Sequence, residues 1–273
     1  MRRVSWALDC FLGNLAQALS PVYCLWGARQ INRSLTIELR KALISAYNLQ
    51  AMLRPLIIAI DGPSGSGKST LGRMLARELG LLYIDTGSMY RAVALAVIES
   101  STNETDDVAV GVLAEEVDID LVGDPDSLRV TLDGRNVSER IRDDEVTKMS
   151  SIVSTIPAVR RAMVERQREL GQRGAVMNGR DIGTVVFPDA DVKFFLTAIV
   201  EERAERRLAE EREHNPAATY EQTLVDITER DRRDTTREDS PLIAAKDAII
   251  IDSTGRPITE VFQRMMSEVE KRS

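Results

Sequence analysis

The stretch GPSGSGKST, residues 62–70, sets Gly62, Gly67, Lys68 and Ser69 in the spacing G-x-x-x-x-G-K-S. Glycines so placed let successive backbone N–H groups turn inward around an anion, at a helix N-terminus whose dipole favours negative charge. A lysine after the last glycine neutralises terminal phosphates, and the next hydroxyl is a Mg²⁺ ligand. The chemistry is binding of a nucleoside triphosphate with Mg²⁺, through Gly62, Pro63, Ser64, Gly65, Ser66, Gly67, Lys68, Ser69 and Thr70. The loop does not say what receives a phosphate, or whether anything does.

A second concentration of charge is ERDRRDTTRED, residues 229–239, with Arg230, Arg232, Arg233 and Arg237. It reads either as a solvated helix face or as half of a site for a strongly anionic ligand. Helical spacing puts Arg230, Arg233, Asp234 and Arg237 on one side, with Asp231, Arg232 and Glu238 pointing elsewhere. Two further arginines stand in polar turns, Arg91 in DTGSMYR and Arg180 in NGRDIG. EERAERRLAEER, 201–212, reads as a charged surface helix laced by pairs such as Glu202 with Arg206.

The elements that must position these residues follow from periodicity. LIIAID (56–61) is a short β-branched run ending at the glycine loop, as a buried parallel strand would be. Leu71, Met74, Leu75 and Leu79 then recur at helical spacing up to Gly80. LLYID (81–85), 175–178, DVKFFLT (191–197) and AIIID (248–252) read as further strands, alternating with helices at 143–154, 157–172, 200–213, 219–236 and 257–271. Between them VDIDLV and SLRVTLDGRNVS carry the hairpin signal Asp133-Gly134, so 117–142 is antiparallel. The expectation is an α/β doubly wound parallel sheet with a small antiparallel insert. Ligands in such sheets sit beyond the carboxyl ends of the strands, where Arg91, Arg180, Arg230 and Arg237 would converge. The pairs Val185-Val186 and Phe194-Phe195 read as core.

Composition narrows the classes. The 273 residues carry a net charge of -7, which argues against general binding to nucleic acid or an anionic membrane. Two cysteines, Cys10 and Cys24, make no disulfide framework or zinc spacing, and the single His214 reads as a solvated linker residue. No stretch has the roughly 20 apolar residues of a membrane span. Residues 1–54 differ from the rest: they hold both cysteines, Trp6 and Trp26, and seven basic residues against two acidic. They read as a poorly ordered upstream extension, with the working protein starting near Met52. Asp9, Asn14 and Gln17 interrupt the apolar stretch a secretory signal needs; a transit peptide or a partner-binding arm stays open.

IDGPSGSGKST, YIDTGSMYRA, NGRDIGTVVFPDADVKFFLTA and ERDRRDTTREDSPL together resemble bacterial cytidylate kinases, from about residue 56 to 271. The resemblance implies a phosphate-loop nucleoside monophosphate kinase fold over 55–273. Its core would be 55–105 and 173–273, with an acceptor-binding insert at about 106–172 and a lid at about 200–218. It implies ATP as donor with Mg²⁺, bound at Ser69, CMP and dCMP as acceptors, and a cytoplasmic monomer. It assigns Thr86, Arg91, Ser151, Arg160, Arg180, Asp181, Arg230, Asp234 and Arg237 to the acceptor. Asp181 would accept the cytosine amine, Arg160 and Ser151 would complement the ring, and Asp234 would meet the ribose. Lys68, Arg180, Arg230 and Arg233 would act on the transferring group, and Arg203, Arg206 or Arg207 would close over ATP. The rival readings are another small-substrate phosphate-loop kinase, of adenylate or shikimate type, and an ATP-binding switch that transfers nothing.

Overall fold

The first strand, β1 (Ile57–Asp61), is buried along its whole length. Consecutive apolar residues can all be buried only where both faces of a sheet are covered, the situation of a central parallel strand. Ile57 and Ala59 face one hydrophobic core and Ile58 and Ile60 the other. The structure, a computed structural model, describes residues 55–213 and 215–272. The expectations for residues 1–54 and for His214 lie outside the described residues.

Five strands form one sheet in the order β2 (Leu82–Asp85), β6 (Ala175–Gly179), β1, β7 (Val192–Thr197), β8 (Ile249–Asp252), every neighbouring pair parallel. On one face lie α1 (Lys68–Leu79) and α8 (Ile258–Glu270), which bury Leu71 and Leu75 and, at i, i+4 and i+8, Val261, Met265 and Val269. On the other lie α2 (Thr86–Ser100) and α5 (Pro157–Gly171), the latter opened by a proline at its first turn. Phe194 and Val186 are buried, whereas Phe195 and Val185 are only partly so.

The insert is antiparallel, as the hairpin signal predicts. Strands β3 (Ile119–Val122), β4 (Arg129–Leu132) and β5 (Arg135–Asn136) pair in that order. Along β3 the residues alternate buried and exposed, the mark of a sheet with one wet face. Asp133 and Gly134 both have positive φ, 50° and 74°, which matches the right-handed twist of the strands they join. Two helices, α3 (Asp107–Glu116) and α4 (Asp144–Val153), complete this region. Its apolar residues do not form a core of their own: Val110, Leu132 and Val146 pack in one cluster with Ala59, Ile84 and Met177 of the main sheet. Pro55–Ser273 is one compact unit.

The remaining helices are α6 (Val200–Arg212) and α7 (Tyr220–Thr236), which pack on each other. Thr219 caps α7 by accepting the Gln222 N–H, and Thr223 donates to Glu211 across the pair at 2.8 Å. The α7 helix stops at Thr236, so Arg237 sits on extended backbone beyond it rather than in helical phase. Truncating Phe194, 1% exposed on the central sheet, is expected to cost about 3–5 kcal/mol of stability, read by urea unfolding of Phe194→Ala.

Candidate active site

The carboxyl ends of β1, β2 and β6 open onto one cleft, and the helices that follow them start there. After β1 the chain turns through Gly62, whose φ of +146° is open only to glycine and whose Cβ would meet the Leu196 carbonyl oxygen at 2.0 Å. The loop then wraps toward the N-terminus of α1. Lys68 is buried and folds back on the loop, donating to the Pro63 carbonyl at 2.5 Å. Burial, then repulsion from Arg180 and Arg230, holds its ammonium pKa well below that of an ordinary lysine.

One wall of the cleft is lined by Gly65, Gly67, Lys68, Ser69 and Thr70 and the other by Arg91, Arg180, Arg207 and Arg230. Arg230 is pushed down to about 9, by burial and then by Arg180 and Arg91, and its Nε has no hydrogen-bond partner. Arg91, on α2, is lowered too, first by burial, with Asp85 opposing. Neither arginine has a carboxylate within ion-pair distance among the described residues, whereas Arg180 donates to Asp234 at 2.7 Å. Lys68, Arg91 and Arg230 are therefore cations gathered at one spot with little compensating anion.

The adjoining pocket is lined by Thr86, Tyr90, Ser154, Arg160, Asp181, Arg230, Asp234 and Arg237. Arg160 donates from one nitrogen to Asp181 and from another to the Ser154 carbonyl at 3.2 Å, with its guanidinium 5.6 Å from the centre of the Tyr90 ring. Both members of this pair are buried. Arg237 stands 3.9 Å from Asp181 and 3.7 Å from Asp234. Burial alone would raise the Asp234 carboxyl, but Arg180 and Arg230 overcome that and hold it below the ordinary range. Thr86 donates its hydroxyl to the Asn178 carbonyl at 2.9 Å.

The α6 arginines are braced by protein partners. Arg203 is buried against the loop, donating to the Ala198 carbonyl and to the loop's own Ser64 carbonyl at 3.0 and 3.1 Å and pairing with Asp231 at 2.6 Å. Asp231 is thereby turned inward, contrary to the outward face expected for it, because α7 packs on α6. Arg206 is held by Glu202 and by Ser253 in the turn after β8. Arg207 keeps two side-chain partners, Glu210 and Glu211, while lining the cleft. Arg233 lies 3.4 Å from Glu229 and lines a wider cavity of about 630 Å³ between α4 and the α6–α7 pair, as does Ser151. Arg232, paired with Glu229, is the solvated residue it was expected to be.

Residues that spacing did not single out also shape the site. Asn178, at the end of β6, donates its side-chain amide to the Ser69 hydroxyl at 3.1 Å, and its own Oδ1 is buried without a partner. Tyr90 and Ser154 line the second pocket. Asn178 and Tyr90 stand inside the motifs NGRD and DTGSMYR, so position was the available signal.

The three weakly compensated cations define a measurement. Inorganic phosphate is expected to raise the melting temperature of the protein, as any ligand that binds only the folded state does. Arg230→Gln should lose most of that rise, yet melt no lower than wild type without phosphate, because burial and its neighbours already disfavour the charged guanidinium.

The chain is similar to known proteins over most of its length. The family model described as "Cytidylate kinase" matches residues 58–271. The chain is 46% identical to the cytidylate kinase of Geobacter sp. (strain M21) over 218 residues, 80% of this chain and 94% of that protein. It is 50% identical to that of Desulforamulus reducens, covering 78% and 96%, and 43% identical to that of Bacillus subtilis, covering 81% and 100%. A match over that length places the chain in the cytidylate kinase family.

Proposed function

We propose that this protein transfers the terminal phosphoryl group of ATP to the phosphate of CMP, giving CDP and ADP, with dCMP as a second acceptor. The observation that carries the reading is the adjacency of two unlike pockets. One is rich in weakly compensated cations next to a glycine loop; the other ends in a buried carboxylate–guanidinium pair suited to the edge of a base.

The donor triphosphate lies in the loop of residues 62–70, its charge met by the backbone N–H groups, Lys68 and Arg207. The acceptor phosphate sits against Arg91, Arg180 and Arg230. Asp181 accepts from the exocyclic amine of cytosine, and Arg160 donates to the ring acceptors with Tyr90 against its guanidinium. Asp234 and Arg237 meet the ribose side, and Thr86 closes the pocket. Arg203 acts through the loop rather than on ATP, and Ser151 and Arg233 belong to the cavity that the α6–α7 pair covers on closing. The insert and this helical pair are then the acceptor-binding and lid regions.

An oxygen of the CMP phosphate forms the new bond to the transferred phosphorus while the bridging bond to ADP breaks. The acceptor is already ionised at neutral pH, so no residue needs to act as a general base. The protein supplies position and charge neutralisation. Mg²⁺ fits the donor set: Ser69 offers one hydroxyl, Asn178 an unpartnered buried carbonyl beside it, and no acidic cage of three or more ligands occurs among the described residues. That is the sparse protein coordination that Mg²⁺ takes when phosphates and water complete its shell. When bound, it would neutralise the negative charge of the phosphates during transfer.

No helix among the described residues is long and apolar enough to cross a membrane. A single polypeptide in the cytoplasm, binding no nucleic acid, is the setting this reading implies.

The test is phosphorylation of a panel of CMP, dCMP, UMP, AMP and shikimate with ATP and Mg²⁺. CMP is expected to lead. Uracil leaves Asp181 facing a carbonyl, a penalty of about 1–3 kcal/mol, or roughly 5- to 150-fold in kcat/KM. A preference for AMP or shikimate would overturn the reading, and ATP turnover without CDP would make the protein a switch. Asp181→Ala should cost more in kcat/KM for CMP than in ATP affinity; equal losses would contradict its role at the base.

A further inference from the structure

Asp61 is the last residue of β1 and the one before Gly62, and the function proposed above gives it no contact with either substrate. It is nonetheless 4% exposed, and both of its carboxylate oxygens are engaged. Oδ1 accepts the Ile182 N–H and Oδ2 the Gly183 N–H, each at 2.8 Å. These are the two residues that follow Asp181. They open a single π-helical turn, Ile182–Val186, in which the N–H groups of Val185 and Val186 return to the Asp181 carbonyl at 2.8 and 3.2 Å. The far end of the turn is held from α5, where Arg168 donates to the Val186 and Val185 carbonyls at 2.9 and 2.7 Å. The same helix presents Arg160 to the Asp181 side chain.

We propose that Asp61 is a positioning residue for the acceptor: by holding the N–H groups of Ile182 and Gly183 it sets the direction in which Asp181 meets the base. It thereby couples the base pocket to the phosphate loop that begins at the next residue. The inference rests on the reading of Asp181 as the carboxylate that faces cytosine.

The chemistry requires an ionised carboxylate. Two N–H donors converge on Asp61, and only a group with two acceptor oxygens satisfies both. An amide sets its NH₂ donor against one of those N–H groups, and a protonated acid loses the charge that strengthens both bonds, so the turn is held less firmly. Burial pushes the Asp61 carboxyl up to about 6; the two N–H groups lower it, Asp181 raises it and Lys68 from α1 lowers it. Beside Arg168, Lys193 of β7 also lies at the turn, its chain against Gly183 and its ammonium paired with Asp247. The positioning contact is therefore complete above about pH 6 and is lost as pH falls through that value. Stability has the opposite sign. A folded pKa raised above the unfolded value means that ionisation costs stability as pH rises toward 6, so a neutral isostere need not destabilise the fold.

The experiment compares wild type with Asp61→Asn. At pH 8 the variant is expected to raise KM for CMP about tenfold, the scale of one lost hydrogen bond to a charged group, and to leave KM for ATP within about twofold. It should melt at or near the wild-type temperature. The ratio of the two CMP KM values should shrink toward one by pH 5.5, as the wild-type carboxyl takes up its proton. The phosphate of CMP also titrates near pH 6, but it does so equally in both proteins and cancels in the ratio. An unchanged KM for CMP at pH 8, equal rises for both substrates, or a ratio independent of pH would overturn the role of Asp61. A second measurement needs no variant: inhibition of the wild type by cytidine, which carries no phosphate, should weaken between pH 8 and pH 5.5, and a constant inhibition constant would also overturn it. Wild type that shows no preference for CMP removes the proposed function, and the Asp61 role with it. Wild type that prefers CMP beside a variant that matches it removes the Asp61 role alone.

Discussion

Like charges held together in a partly dry cleft are the constraint on which the rest of this structure depends. Lys68, Arg91 and Arg230 come from three different helices and repel one another, and burial adds to the cost of each. No local preference of the chain would bring them together. Only a large core can hold them, and the two clusters on either face of the parallel sheet provide it. Cations gathered in this way are preorganised for an anionic ligand, since the cost of bringing them together is met in folding.

The arginines beside them are treated differently, and the difference separates binding from bracing. Arg180 and Arg237 share Asp234, and Arg160 has Asp181, so these guanidiniums are oriented before any ligand enters. Arg203 goes further: all its described contacts are internal, and it ties α6 and α7 to the carbonyl of Ser64 in the phosphate loop. A movement of the helical pair therefore reaches the donor loop through one buried side chain. The turn after Asp181 is braced similarly, by Asp61 on one side and Arg168 on the other. The phosphate loop, the turn after Asp181, α5 and the α6–α7 pair are thus joined by three short polar links.

Much of this was legible in residue order. The glycine spacing, the β-branched run before it and the helical period after it predict strand, loop and helix, and all three stand where expected because each rests on local geometry. The Asp133-Gly134 hairpin was equally legible, since both residues adopt the positive φ that their types favour. The π-helical turn at 182–186 was not. Its residues IGTVV carry no signal for it, and two side chains distant in sequence hold it in place.

What the sequence by itself determined is the inventory: a phosphate loop, a set of arginines in polar turns, and an alternation of strands and helices that admits few arrangements. These are consequences of spacing, which the backbone converts into direction without help. The tertiary structure alone decided which arginines remain open to a ligand. Helical phase groups Arg230 with Arg233, Asp234 and Arg237, yet the helix ends at Thr236, Asp234 turns to Arg180, and Asp231 turns inward to Arg203. Pairing depends on which oppositely charged group another element brings within a few ångströms, and that distance is set by packing rather than by spacing along the chain.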